Sequence, residues 1–243
     1  MQIAIHQPNF LPRLKVLQKL AAAETWVVLD NVQYCAREWQ NRARIIPEHG
    51  DRRAFWLSVP VHLSNGRDTL IRSVEVLDTS STATHIARVL RHALRSTPHW
   101  EAVQQFVTAV DPSLRERSLV DLCIATTVKL LTMAGASPQI VRASSLSATG
   151  KGSQLIAGIC RELGADTYLA DSGSIEYLKL RDFDNTQVMW QHWQEPVDRV
   201  PGIDSWRDIS CLNYLARSGS AAFMRHLHEI LLRTYPPRRH TSH

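Results

Sequence analysis

The fold is decided by Met1–Asp30, MQIAIHQPNFLPRLKVLQKLAAAETWVVLD. Met1–Ile5 alternates like a short strand and ends before Pro8. From Leu14 onwards apolar residues recur at helical spacing, and Thr25–Leu29 is β-branched and apolar, which is typical of a buried strand. The order strand, Pro-rich turn, helix, strand predicts a βαβ unit and therefore an α/β fold.

The rest of the chain continues this pattern. Phe55–Val61 and Ile71–Val76 are predicted to be strands joined by a polar turn at Asn65–Gly66. Between His85 and Met133 apolar residues fall at helical intervals, which predicts a helical middle with three helices. A second βα passage is expected near the C-terminus: a strand at Gln139–Val141, a helix at Leu155–Leu163, strands at Thr167–Ala170 and Val188–Trp193, and a helix at Ala221–Leu232.

Domain organisation follows from what is missing between these elements. The 243 residues contain no internal repeat and no long flexible linker. A single composite α/β domain is therefore expected over residues 1–235, with 1–80 and 81–235 as candidate subdomains. Residues 236–243 are expected to form a flexible tail.

Composition excludes several classes of protein. A hydrophobic content of 44% with 21% charged residues is ordinary for a globular domain. The apolar runs are too interrupted to give the roughly 20 apolar residues of a membrane span. Because Met1 opens a strand and no secretory signal is visible, a cytoplasmic location is expected. The net charge of +5 is spread along the chain, so no nucleic-acid partner is expected. It fits an anionic substrate, an acidic protein partner or simply a solvated surface.

The cysteines and histidines give no metal or disulfide pattern. The four cysteines lie far apart, so they are expected to be free thiols, with Cys123, Cys160 and Cys211 in the core. The eleven histidines include no pair at zinc-ligand spacing on one helical face. No metal and no resident cofactor are predicted.

Polar residues follow the first two predicted strands. His6 and Gln7 come after the first strand, and Asp30 and Asn31 come after the second. In open α/β sheets the ligands bind outside the carboxyl ends of the strands, so these residues should share one rim. Asp171–Gly173, after a later strand, is a second candidate, with Ser172 suited to substrate contact or turn formation.

Three segments together resemble the WbqC-like family. They are Ile5–Pro12 (IHQPNFLP), Leu29–Tyr34 (LDNVQY) and Asn41–Ile45 (NRARI). Trp56–Val61 and Leu163–Leu169 are also similar to that family, so the resemblance spans most of the chain and fades after about residue 190.

The resemblance implies a place in pathways that build polysaccharides such as O-antigen, or natural products, without fixing a reaction. Two departures from the family pattern are visible. Asn31 stands where a second Asp is frequent, which puts any role for paired carboxylates in doubt, and the last segment lacks the closing motif.

The residue types near the rim suit amide-forming acyl transfer. In this hypothesis Cys35 attacks a thioester, His6 removes its proton, and Asp30 orients the imidazole, while Gln33 or a backbone N–H stabilises the oxyanion. The donor would be an acyl group on the phosphopantetheine of an acyl or peptidyl carrier protein. The acceptor would be a small-molecule amine or amino sugar.

Further residues are predicted to bind substrate. Asn41 and Arg42 supply an amide and a planar cation, which fit the phosphate of a nucleotide-sugar or phosphopantetheine. Trp39 could stack on a base or sugar ring, but core packing is the commoner fate of a Trp. The complete predicted set is Gln7, Asn31, Gln33, Tyr34, Asn41, Arg42 and Ser172.

Each assignment has a structural alternative. Cys35 could be a packing residue beside Tyr34, His6 could be a turn histidine, and Asp30 could cap its loop or pair with Arg42. Two other functions fit the same residues. One is an enzyme without a covalent step, in which His6 or Asp30 is the base acting on a sugar-nucleotide amine. The other is a non-catalytic component that binds a carrier domain.

Overall fold

A computed structural model describes residues 1–50, 53–197 and 203–234. Its strands are β1 Gln2–His6, β2 Thr25–Val28, β3 Arg42–Ile45, β4 Phe55–Ser58, β5 Val61–Leu63, β6 Val74–Val76, β7 Gln139–Arg142, β8 Thr167–Ala170, β9 Gln187–His192 and β10 Leu231–Arg233. Its α-helices are α1 Leu14–Ala21, α2 Thr79–Leu94, α3 Trp100–Val110, α4 Leu119–Met133, α5 Ser153–Glu162 and α6 Cys211–His228.

Six strands form the main sheet, in the order β10-β9-β8-β1-β2-β7. All its neighbouring strands are parallel except β10, which pairs antiparallel with β9. The chain builds outward from β1 to β2 and β7, and then crosses to the other side of β1 for β8 and β9. The predicted α/β class and βαβ start are confirmed, and a topological switch point lies between β1 and β8.

Helices cover both faces of this sheet. On one face Ile3, Ile5 and Val27 pack with α5. On the other, Ala4 and Trp26 pack in the larger core that contains α1, α4 and α6. Because side chains alternate between the faces of a strand, a strand covered on both faces needs apolar residues on both, and the interior of β1, Ile3–Ile5, is apolar throughout. None of the described helices is long and apolar enough to cross a membrane.

The strand-rich segment after β2 differs in detail from its prediction. The expected strand Phe55–Val61 is divided at Val59–Pro60 into β4, which pairs with β3, and β5, which pairs with β6. Pro60 has no N–H to donate to a ladder, which favours a break at this point. Ile71–Ser73 is a short 3-10 turn, so only the second half of the predicted strand Ile71–Val76 is extended.

The C-terminal helix also differs. The predicted helix Ala221–Leu232 begins ten residues earlier, at Cys211, and ends at His228. It is interrupted at Gly219, whose φ of 81° lies in the left-handed region. Leu231–Arg233 instead forms β10 on the edge of β9, because a short apolar run fits either a helix or a strand. The predicted tail 236–243 lies outside the described residues.

Candidate functional site

A cavity of about 170 Å³ lies at the switch point, where β1 and β8 end. In the parallel pairing of these strands Ile3 is opposite Tyr168, which brings His6 and Asp171 to the same edge. Its walls include His6, Gln7, Arg13, Trp39, Tyr168 and Asp171. The predicted rim therefore contains a cavity, and its second wall is the Asp171 loop after β8.

Three ionisable side chains form a cluster at this site. Lys19, on α1, places Nζ 3.1 Å from Nδ1 of His6 and 3.4 Å from Oδ2 of Asp171. The same carboxylate oxygen lies 3.8 Å from Nδ1 of His6. The Lys19 side chain is only 1% exposed, whereas that of Asp171 is 26% exposed. A buried ammonium needs a negative partner, and Asp171 provides it.

Burial and charge set the protonation of His6. Desolvation, followed by the positive charge of Lys19, holds the pKa of His6 well below its usual value, although Asp171 and a hydrogen bond with the Asn9 side chain act in the opposite direction. The imidazole is therefore neutral at physiological pH.

The contact with Lys19 also determines where the imidazole carries its proton. An ammonium group only donates hydrogen bonds, so Nδ1 of His6 accepts the bond from Nζ. A neutral imidazole with a lone pair on Nδ1 carries its proton on Nε2. His6 is thus a hydrogen-bond donor in the cavity wall rather than a free base.

A second lysine extends the positive charge along α1. Lys15 lies one helical turn before Lys19 and donates a hydrogen bond from Nζ to Oγ of Ser172 at 2.9 Å. Burial lowers the pKa of Lys15 to about 8. Burial alone would raise the pKa of Asp171, but the positive charge of Lys19 and Lys15 and the Gly173 N–H outweigh it, and the pKa of Asp171 falls below its usual range.

The mouth of the cavity combines an arginine with aromatic rings. The guanidinium carbon of Arg13 lies 4.3 Å from the centre of the Trp39 ring. Nη1 of Arg13 donates to Asp208 at 3.1 Å, while its buried Nε has no hydrogen-bond partner among the described residues. Tyr177 forms another part of the wall and is 48% exposed. A ligand can therefore meet both a cation and aromatic surfaces on entry.

Four residues singled out from the sequence lie in the cavity wall: His6, Gln7, Trp39 and Asp171. Oε1 of Gln7 accepts a hydrogen bond from Nε2 of Gln40 at 2.8 Å. Ser172 follows the wall residue Asp171 in the sequence and accepts a hydrogen bond from Lys15. These contacts fix Gln7 and Ser172 around the cluster.

Asp30 is buried and has a different partner. One carboxylate oxygen accepts the backbone N–H of Ser144 and the other accepts the Ser144 hydroxyl, both at 2.8 Å. These bonds join the loop after β2 to the turn after β7. Asn31 donates to the backbone oxygen of Ala143 at 3.5 Å in the same region. Asp30 thus links two loops, and Asp171 is the carboxylate beside His6.

Cys35 is exposed, and its thiol contacts the backbone oxygen of Gln33 at 3.9 Å. Across residues 1–50, 53–197 and 203–234 no hydrogen bond or ion pair joins Cys35 to His6 or Asp30. The expected Cys-His-Asp arrangement is therefore not assembled by direct contacts. The expected core positions of Cys123, Cys160 and Cys211 are confirmed, since all three are buried.

The remaining predicted residues make mostly structural bonds. Gln33 donates to the backbone oxygen of Arg67 at 2.6 Å, and Asn41 donates to that of Val59 at 2.9 Å. Tyr34 is 7% exposed and packs in the core. Arg42 is bound to Glu38 rather than to Asp30: its Nε donates to the Glu38 backbone oxygen at 3.0 Å.

Sequence reasoning missed Lys15, Lys19 and Arg13. The two lysines are spaced i, i+4, so they share one face of α1. That spacing is the only sequence signal, because lysines on a short helix are normally solvated. Asp171 was part of a separate candidate, and the pairing of β1 with β8 makes it part of the same site.

A doubly wound α/β domain with a polar cavity at its switch point belongs to a class of folds in which ligand sites form at the carboxyl edge of the sheet. The described residues contain no group of three His, Cys, Asp or Glu side chains arranged to hold a metal ion. Within this class the chain belongs to the WbqC-like protein family, whose model matches residues 7–199.

One curated relative is the uncharacterized protein Rv1507c of Mycobacterium tuberculosis (strain ATCC 25618 / H37Rv). It is 21% identical to this chain over 187 residues, which cover 77% of this chain and 79% of that protein. No solved structure matches the chain.

Proposed function

We propose that the protein is an amide-forming acyl- or aminoacyltransferase. Its donor is a thioester, carried on the phosphopantetheine of an acyl or peptidyl carrier protein, and its acceptor is a small amine or amino sugar. The reaction takes place in the cytoplasm, in the assembly of a polysaccharide or natural product. The amine attacks the thioester directly, without an acyl-enzyme on Cys35.

The observation that carries this proposal is the neutral His6 whose Nδ1 accepts from Lys19. Its Nε2–H is a donor for the acyl oxygen, on which negative charge develops when the thioester carbon becomes tetrahedral. Because Lys19 is buried and paired with Asp171, the ring is already oriented and need not be reorganised during the reaction. His6 therefore has the role of an oxyanion donor.

The positive charge around the cavity supports an amine acceptor. An amine must lose its proton before it can attack, and Lys15, Lys19 and Arg13 all disfavour a second ammonium nearby. The same cations stabilise the anionic tetrahedral adduct. The cavity thus favours the reactive form of the acceptor and the charge of the transition state together.

The chemistry balances without an added reagent. The C–N bond forms, the C–S bond breaks, and the proton lost by the amine ends on the departing thiolate. An ordinary thiol has a pKa of about 8.5, so its thiolate is basic enough to take this proton. The products are an amide and a free thiol.

The test uses N-acetylcysteamine thioesters as donors and a panel of amino sugars as acceptors, with amide measured by mass spectrometry and thiol release by a colour reagent. Loss of one oxyanion donor costs about 10²–10³ in kcat, so His6→Ala should lower amide formation by about that factor. His62→Ala is the matched control, since His62 is exposed on β5. Equal rates in the two variants, or no amide from any donor and acceptor pair, would refute the proposal.

A further inference from the structure

A row of two arginines and two tryptophans begins at the cavity wall and continues beyond it. It consists of Arg13, Trp39, Trp56 and Arg42, and we call it the Arg–Trp row. The centres of the two indole rings are 4.9 Å apart at an angle of 59°. Arg13 lies 4.3 Å over the Trp39 ring, and Arg42 lies 3.8 Å over the Trp56 ring.

The Arg–Trp row joins segments that are distant in sequence. Arg13 precedes α1, Trp39 lies in the loop before β3, Arg42 begins β3, and Trp56 lies on β4. The pairing of β3 with β4 and the bond from the Phe10 N–H to the Trp39 oxygen hold these segments in place. A surface built from rigid strands and a tied loop keeps its shape before a ligand arrives, which lowers the cost of binding.

Two features of the Arg–Trp row indicate that it binds a ligand. Trp56 is 41% exposed, although an indole of this size is normally covered by protein. Nε of Arg13 is buried, has no hydrogen-bond partner among the described residues, and belongs to a residue of the cavity wall. A buried guanidinium N–H without an acceptor is costly, and an anionic oxygen from a bound molecule would satisfy it.

We infer that the Arg–Trp row binds a nucleoside diphosphate that forms part of a substrate of the cavity. The base stacks on the exposed face of Trp56, and the phosphates take hydrogen bonds from Arg13 and Arg42, whose planar N–H groups match phosphate oxygens. The reacting group then enters the cavity of about 170 Å³. This inference rests on the proposed function and names the chemistry of its substrate.

A nucleoside diphosphate can reach the site from two sources. It is the carrier half of a sugar nucleotide, in which case it belongs to the acceptor. It is also part of the adenosine end of coenzyme A, in which case it belongs to a coenzyme A thioester that replaces the carrier protein as donor. Uridine diphosphate and coenzyme A, titrated separately into the full chain by calorimetry, distinguish the two sources.

At least one of these ligands should bind, and Trp56→Ala and Arg42→Gln should each weaken it by about tenfold. Trp56→Phe keeps an aromatic face and should stay within about threefold of the unchanged protein. Arg117→Gln is the matched control. Arg117 is exposed, its Nη2 lies 2.8 Å from Oε2 of Glu75, and neither residue is part of the cavity wall. Where uridine diphosphate is the ligand that binds, uridine alone and pyrophosphate alone should each bind at least about tenfold more weakly.

Failure of both ligands to bind, or the same affinity in Trp56→Ala as in the unchanged protein, would overturn the inference. Amide formation from an amino sugar without a nucleotide and a thioester without coenzyme A tests the proposed function separately. If that transfer proceeds while both nucleotides fail to bind, only the nucleotide subsite is wrong. If a nucleotide binds through the row and no transfer occurs, only the proposed reaction is wrong.

Discussion

Two groups of polar residues lie at the carboxyl ends of neighbouring strands of the same sheet, but their surroundings differ. At the end of β1, His6 lines a cavity and contacts Lys19, an ion-paired ammonium. After β2, Asp30 is fully buried and bonded through both oxygens to Ser144. Position at a strand end is therefore not enough to identify a functional residue. What separates the two groups is that His6 lines a cavity, whereas Asp30 does not.

The first way to sharpen this comparison is to remove the partner that sets the tautomer of His6. In Lys19→Met, Nδ1 of His6 no longer accepts a hydrogen bond from an ammonium group. The imidazole can then carry its proton on Nδ1 and donate it to Asp171, which leaves Nε2 without a hydrogen. We expect kcat to fall by about a hundredfold with little change in KM, as for the loss of an oxyanion donor. Lys129→Met, on α4, is the control, and an equal fall in that variant would show that the effect is not specific to the site.

Substitutions of Asp30, in the loop after β2, should change the stability of the protein rather than its kcat. Asp30→Ala removes the acceptor of two buried hydrogen bonds and should lower the free energy of unfolding by about 2–3 kcal/mol, measured by urea denaturation. Asp30→Asn keeps one acceptor and should recover part of that loss. If kcat falls a hundredfold in folded Asp30→Asn, Asp30 takes part in the reaction, and the distinction drawn here between His6 and Asp30 is wrong.

The pH dependence of stability gives a third test. The pKa of Lys15 is about 8 in the folded protein and 10.5 in the unfolded chain. Between these values the unfolded chain binds more protons, so raising the pH should stabilise the fold. We expect about 2 kcal/mol of added stability across this range, and a flatter profile for Lys15→Met. An unchanged profile in the variant would mean that Lys15 is solvated and does not contribute to the site.

Cys35 should give the smallest effect. It is exposed and contacts only a backbone oxygen in the described part of the chain. Cys35→Ala should change the free energy of unfolding by less than about 0.5 kcal/mol, and the rate of amide formation by less than about twofold. Intact-mass spectrometry with a thioester donor should show no acyl adduct on either protein. An adduct that disappears with the substitution would restore the covalent mechanism.

The fold was largely predictable, because the spacing of apolar residues indicates which positions of a helix or strand are buried. Alternation in Met1–Ile5 and the apolar run Thr25–Leu29 identified β1 and β2, which pair in the main sheet. Later elements were harder: Leu231–Arg233 is too short for its period to distinguish a strand from a helix. Pairing across long sequence separations, which places β8 beside β1, has no local signal at all.

The site was predictable only in part, for a related reason. His6 and Gln7 stood out because they follow a strand, and strand ends form sites in this class of fold. Lys19 and Lys15 look like ordinary surface residues of an amphipathic helix. Their burial depends on where α1 lies against the sheet, and the partner of His6 depends on the β1–β8 pairing. Neither can be read from the residues alone.

The central claim is that His6 is neutral, carries its proton on Nε2, and accepts a hydrogen bond from Lys19 at Nδ1. Nitrogen NMR of histidine-labelled protein, assigned by comparison with His6→Ala, measures this directly. We expect a pyridine-type signal for Nδ1 and a pyrrole-type signal for Nε2, both unchanged from about pH 8 to about pH 6. A pyrrole-type Nδ1, or a ring that titrates near the ordinary histidine pKa, would contradict the account.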